Sequence, residues 1–277
     1  FADRPAGWRN AVARRSAPGS ASAPPTMLTD QPPLIAPTAR PSLEQALQLK
    51  LARRAGVAGS MGELEPLAVR IGLIQNHLRP RLRQPQLLLF AGDHGLAVDV
   101  STPQARGTAA TVDDILENRV PLPLFAHRQG LTLHLVDSGL ATPLPPRPGV
   151  LARKIAHGTR NCRVAQAMTL DQVSAAIRAG MEIADALPGN ALGCAGVGVG
   201  SLQAAALVIS RVTGLPLREL INAGPDMDGL ELEHAMVVLQ AAQTRHGNVE
   251  DPVEVLAAFG GFETAMMVGA LLKAAEK

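Results

Sequence analysis

The feature that most narrows the fold of this chain is a short apolar run at residues 86–91 (QLLLFA), followed at once by Gly92-Asp93-His94-Gly95. A run this short and this continuous fits a strand covered on both faces, the usual place of a central strand in a parallel sheet. Residues 131–136, 150–156 and 191–199 repeat the pattern. Between and around them lie segments with helical spacing. Residues 42–55 and 63–77 come first, and in the second of these Leu64, Leu67, Ile71 and Ile74 form one stripe. Residues 108–129 are helical but interrupted by Pro121 and Pro123. A helix over 169–187 is started by Thr169, with Asp171 in its first turn. Another begins at Ser201, and residues 230–246 and 253–277 close the chain, the last bent at Gly260-Gly261. Strands alternating with helices of this length predict an α/β fold: a mostly parallel, Rossmann-like sheet with helices on both faces. Residues 42–84 form a small N-terminal helical part, and 85–277 the α/β domain.

Composition excludes several functions. The 277 residues carry 26 Lys+Arg against 24 Asp+Glu, with no Tyr, one Trp and five Phe. A net charge of +2 and so few aromatic platforms argue against nucleic acid as a partner. Cys162 and Cys194 are too few for a disulfide framework and form no CxxC pair. The seven His show neither HExxH nor metal-ligand spacing, so no metal and no cofactor is expected. Residues 186–210 hold no charge, yet five Gly, Pro188, Asn190, Ser201 and Gln203 break the run; it reads as strand, loop and buried helix, not as a membrane span. Residues 1–41 hold eight Pro, and Arg4, Arg9, Arg14, Arg15 and Arg40 against Asp3 and Asp30, with no apolar period, which predicts a disordered tail. Residues 1–26 read as upstream codons in frame, as a basic arm, or as an Arg- and Ser-rich leader; no apolar h-region is present, and a cytoplasmic location is expected.

In open α/β sheets ligands bind beyond the carboxyl ends of the strands. Two segments stand there. Gly92-Asp93-His94-Gly95 puts a carboxylate and an imidazole on a sharp turn, fit for the floor of a ring or ribose site or for simple capping. Gly196-Val197-Gly198-Val199-Gly200-Ser201 runs from strand into helix, where successive backbone N–H groups can hold a phosphate. It lacks both the Lys of a P-loop and the third Gly of GxGxxG, and close helix–strand packing is the competing reading. His157-Gly158-Thr159-Arg160-Asn161 is either a phosphate contact or a polar turn. Asp226, Asp228, Glu231 and Glu233 read as an acidic helix start rather than a metal cluster. Cys194 is expected to be buried and inert.

Taken in order, these segments resemble the nicotinate-nucleotide:dimethylbenzimidazole phosphoribosyltransferase family, which makes the lower-ligand nucleotide of cobalamin. Gly59-Ser60-Met61-Gly62-Glu63-Leu64-Glu65 looks like the family's GSLGxLE, and Phe90-Ala91-Gly92-Asp93-His94-Gly95 like its FAGDHG. Val100-Ser101 with Pro103-Gln104 and Thr108 is similar to VSxxPxxVT, one residue short. Gly158-Thr159-Arg160-Asn161 with Ala167-Met168-Thr169 resembles GTxN…AMT, and residues 251–263 (DPVEVLAAFGGFE) resemble the late DPxEVLAxxGGFE block. The resemblance implies transfer of phosphoribose from nicotinate mononucleotide to 5,6-dimethylbenzimidazole, giving α-ribazole phosphate and nicotinate. It implies a phosphate on Gly196, Gly198, Gly200 and Ser201, and a base slot beside Ser101 and Gln104.

The chain also departs from the family pattern. Where the family has GEMGIGNTT, residues 193–201 place Cys194 for the Glu, Val199 for the Asn and Gly200 for the first Thr. Asn222-Ala223-Gly224-Pro225 stands for the phosphate-side GRGTG, Glu231 and Glu233 stand where a cation is expected, and Pro123 stands for the Asn of AAIN. The family's catalytic glutamate belongs to a GEGTG-like segment not found in these 277 residues, so the α/β domain is incomplete relative to the family. Asp93 and His94 are then the candidate bases. The alternative is a catalytically impaired member that binds or regulates an active homologue. A homodimer, or a heteromer with a homologue, is the expected assembly, and small molecules are the expected substrates. A nucleotide-dependent oxidoreductase is disfavoured by the absence of GxGxxG.

Overall fold

The computed structural model describes residues 33–54, 59–101, 106–221 and 229–277. In chain order its elements are α1 (Pro41–Arg54), α2 (Leu64–Ile74), β1 (Gln86–Gly92), α3 (Ala97–Val100), α4 (Thr108–Leu116), α5 (Pro121–Arg128) and β2 (Thr132–Gly139). There follow β3 (Val150–Ala152), α6 (Leu170–Ala186), β4 (Leu192–Val197), α7 (Ser201–Thr213), α8 (Leu217–Leu220), α9 (Gly229–Arg245), α10 (Pro252–Phe259) and α11 (Phe262–Glu276). Of the tail predicted over 1–41, residues 1–32 lie outside the described residues, residues 33–40 carry no regular element, and Pro41 already opens α1.

The four strands form one parallel sheet in the order β3-β2-β1-β4. On β1, Leu88 and Phe90 pack on one face with α6, α7, α9, α10 and α11, while Leu89 and Ala91 pack on the other with Val112 and Ile115 of α4 and Leu122 of α5. All four β1 side chains are buried. The run is apolar throughout because helices cover the strand twice.

Capping chemistry sets several helix starts. The Thr169 hydroxyl accepts the Gln172 N–H at 3.1 Å and the Gln172 side chain accepts the Thr169 N–H at 2.9 Å, a reciprocal cap for α6. The Asp251 carboxylate accepts the N–H groups of Val253 and Glu254 and opens α10, with Pro252 supplying no N–H of its own. The helix expected over 108–129 is two helices, α4 and α5. A left-handed Asn118 (φ 56°) ends the first, and Pro121, without an N–H, can only begin the second. Likewise the segment 253–277 is α10 and α11, separated at Gly260-Gly261. The third strand is shorter than expected. Beyond Ala152 the chain still runs beside β2, where Arg153 and Ile155 donate to the Asp137 and Ser138 carbonyls, but outside the regular ladder. Residues 186–210 are the end of α6, β4 and most of α7; no helix among the described residues is long and apolar enough to cross a membrane.

Helices α6 and α11 cross at van der Waals contact over two glycines. A Cβ on Gly180 would lie 2.0 Å from the Met266 carbonyl oxygen, and one on Gly269 1.9 Å from that of Ile177. This crossing carries the start of α11, and with it Glu263, onto the carboxyl end of β1.

Candidate functional site

β2 and β3 extend the sheet on one side of β1 and β4 on the other, so the strand order reverses between β1 and β4. A crevice at such a reversal is where open α/β sheets bind ligands. The loops that leave β1 and β4 there are the two glycine segments singled out in the sequence, and they touch. A Cβ on Gly198 would lie 2.0 Å from the Gly92 carbonyl oxygen, so only glycine admits this approach. Gly200, with φ 86°, is the left-handed residue before α7, and a Cβ there would lie 3.1 Å from the Cβ of His94. A third loop closes against the first: Thr159 N–H donates to the Asp93 carbonyl at 3.0 Å, and Gly95 N–H to the Thr159 hydroxyl at 3.3 Å. The 157–161 segment therefore buttresses the 92–95 turn.

Side chains then sort by depth. Asp93 is half-buried, and its Oδ2 accepts the Ala141 N–H at 2.8 Å. His94 is buried, its Nε2 2.8 Å from Oε1 of Glu263, which is itself fully enclosed at the start of α11. Burial pulls the His94 imidazole toward the neutral form, but the adjacent Glu263 carboxylate outweighs it and holds the ring above its ordinary range. Burial pushes Glu263 up, and the imidazolium with its hydrogen bond draws it below the usual carboxylate range. Oε1 of Glu263 also lies within reach of the Ser201 hydroxyl (3.4 Å) and the Thr264 hydroxyl (3.2 Å). The second oxygen has no partner among the described residues.

The 196–201 loop is partly committed. Val199 N–H donates to the buried Thr108 hydroxyl at 3.0 Å, and Ser201 N–H to the Gly198 carbonyl at 3.1 Å. Beside this loop, between β4, α7 and α11, opens a cavity of about 500 Å³ lined by Gly196, Gly198, Ser201, Leu202, Thr264 and Met267, among others. A smaller one of about 260 Å³ lies at the other end of the sheet, where Gln86 and Leu192 begin their strands, and Lys277 is the one titratable side chain in its lining among the described residues. Topology and chemistry both favour the first.

Asp93, His94, Gly196, Gly198, Gly200 and Ser201 thus meet at one end of the sheet. Ser101 follows α3 on the exposed surface, and α3 is tied down by Asp99, whose carboxylate takes Arg163 (2.7 and 3.1 Å) and Asn161 (2.6 Å). The Arg163 hydrogen bond holds that carboxyl below its usual range. Gln104, the 222–225 segment, Asp226 and Asp228 lie outside the described residues, while Glu231 and Glu233 sit in the first turns of α9. Cys194, expected to be buried, is half-buried on β4, which has a strand neighbour on one side only among the described residues; burial still pushes its thiol up to about 11, away from the reactive thiolate. Two residues of the site carried no chemical expectation. Glu263 and Thr108 each end a family-like block, but nothing in their spacing shows that they meet His94 and Val199.

A family model described as phosphoribosyltransferase matches residues 36–277. The chain is 41% identical over 238 residues to the nicotinate-nucleotide–dimethylbenzimidazole phosphoribosyltransferase of Cupriavidus taiwanensis, covering 84% of this chain and 69% of that one. It is 37% identical over 247 residues to the enzyme of the same name from Janthinobacterium sp. (strain Marseille), covering 88% and 72%. Among solved structures it is similar to CobT from Thermus thermophilus, with a TM-score of 0.77 and 27% identity over 84% of this chain and 71% of that one.

Proposed function

Since the chain belongs to the nicotinate-nucleotide–dimethylbenzimidazole phosphoribosyltransferase family, we propose that it transfers the phosphoribosyl group of nicotinate mononucleotide to 5,6-dimethylbenzimidazole, a step in making the lower ligand of cobalamin. The observation that carries this reading to particular residues is the meeting of the 92–95 and 196–201 loops at the point where the strand order reverses.

In the reaction the bond from ribose C1′ to the pyridinium nitrogen breaks, and its electron pair returns to nicotinate. An azole nitrogen attacks C1′ from the opposite side, inverting the anomeric carbon, and the azole N–H proton passes to a base. The 5′-phosphate sits on Gly196, Gly198, Gly200 and Ser201 at the start of α7, where the helix dipole and backbone N–H groups favour an anion. The ribose occupies the adjoining cavity. The benzimidazole lies on the Ser101 and Gln104 side. Of the two candidate bases, Asp93 is the better placed: His94 is buried with its Nε2 engaged and its proton held, whereas Asp93 is half-exposed with one oxygen engaged by Ala141. A pyridine nitrogen leaves readily from a pyridinium, so positioning plus one base suffices.

The test is incubation of the purified chain with nicotinate mononucleotide and 5,6-dimethylbenzimidazole, with α-ribazole phosphate read by mass spectrometry. Product above a heat-killed control that is lost in Asp93→Asn while nucleotide binding survives supports the assignment. Nucleotide binding with no product in the unaltered chain moves the reading to a binding subunit of an active homologue.

A further inference from the structure

We infer that Glu263 is the positioning residue of this site: it clamps the 92–95 loop to the 196–201 loop through His94 and Ser201, and nucleotide binding depends on the clamp. The inference rests on the proposed nucleotide site and adds a residue that touches no substrate.

The local geometry is built around this carboxylate. Glu263 has no exposure, and it sits at the first turn of α11, where it reaches two loops from two different strands. One of its oxygens takes His94 Nε2 at 2.8 Å and lies 3.4 Å from the Ser201 hydroxyl. Two glycines make room for it. A Cβ on Gly261 would fall 2.2 Å from its Oε2 and one on Gly92 2.8 Å from the same atom, whereas one on Gly196 would meet its Cγ at an ordinary contact distance of 3.5 Å. Gly92 belongs to the first loop and Gly196 to the second. The first loop is therefore shaped around this carboxylate, and the second reaches it through the Ser201 hydroxyl. The charged groups that face the His94 ring are Glu263 from α11 and Asp93 on its own loop.

The role is distinct from general packing, because a side chain of the same volume without charge would fill the space equally well. Glu263→Gln keeps volume and hydrogen-bonding ability but cannot hold His94 as the imidazolium. With His94 held only by the weaker neutral hydrogen bond, the 92–95 turn is held less firmly against Gly198 and Gly200, and the nucleotide meets a looser floor.

The experiment is a cycle of Glu263→Gln, His94→Gln and the double variant, read by calorimetric binding of nicotinate mononucleotide and by NMR titration of the His94 Cε1–H. Glu263→Gln is expected to weaken binding about tenfold, the loss of one charge-assisted hydrogen bond, and to lower the His94 midpoint. Because Glu263 acts through His94, the double variant is expected to bind no worse than the weaker single one. Additive losses, an unmoved His94 midpoint, or binding by Glu263→Gln within about twofold of the unaltered chain overturns the clamp. Should a single variant fail to fold with one buried charge unpaired, the double variant, which leaves none, decides: binding weakened about tenfold supports the clamp, and binding within about twofold of the unaltered chain overturns it. If the unaltered chain binds no nucleotide, the functional reading fails. The clamp is then judged on the His94 midpoint and on hydrogen exchange of residues 196–201, which must quicken in both single variants.

Discussion

A carboxylate and an imidazole enclosed together can help or harm a fold, and the outcome depends on pH. The His94 ring is held above its free value of 6.5, so its contribution is full below that value and disappears as pH rises through the folded midpoint. Glu263 is held below its free value of 4.5, so its contribution is full above that value and disappears as pH falls through the folded midpoint. The two windows overlap between those free values. We expect the stability gap between the unaltered chain and the His94→Gln/Glu263→Gln double variant, measured by urea unfolding, to be most favourable to the unaltered chain between those two values and less so well above the higher one. A gap that does not change with pH would mean that the pair is not ionic. Thr108 makes a second single-residue case. Thr108→Val keeps the shape but removes the acceptor of the Val199 N–H. Losing that bond at a half-buried donor costs about 1 kcal/mol, visible as a lower urea midpoint, and nucleotide binding should weaken with it because the loop is freed.

At the level of elements, the packing of α6 on α11 decides where the site's carboxylate arrives. Gly180 and Gly269 bring the two backbones so close that any side chain there meets a carbonyl oxygen rather than a pliable side chain. Gly180→Ala should therefore destabilise by roughly 1–3 kcal/mol through overpacking, despite the better helix propensity of alanine. A raised or unchanged thermal midpoint would show that the helices shift apart freely. The contrast explains what the sequence made legible. The β1 run and the Thr169 cap are written in adjacent residues, so their elements are found within a few positions. The α6–α11 contact pairs residues far apart in the chain, Gly180 with Met266 and Ile177 with Gly269, and no local pattern encodes it. The third strand stops short of its apolar run for a related reason: residues 153–155 are still hydrogen-bonded to β2, but where a ladder stops depends on the partner strand.

Across the whole molecule, the candidate site is built from distant pieces: the ends of β1 and β4, the 157–161 loop and the first turn of α11. Sequence reading picks out as candidates the pieces that carry glycines and polar groups in a recognisable order, Asp93 to Gly95 and Gly196 to Ser201, and the structure brings those two together. It misses Glu263 because a glutamate in the first turn of a helix is already explained by the helix dipole. Such a composite site makes a prediction about global stability. A ligand that bridges the β1 and β4 loops binds the folded chain and not the unfolded one, so it must raise the unfolding temperature. At about one hundred times its dissociation constant the gain is about 2.7 kcal/mol, which for a chain of this size is a shift of several degrees. Nicotinate mononucleotide should give that shift, and nicotinate riboside, which lacks the phosphate, should give much less at equal concentration, because the 196–201 loop then has no anion to hold. Equal shifts from both would place recognition on the ribose and ring instead, and would remove the phosphate from the start of α7.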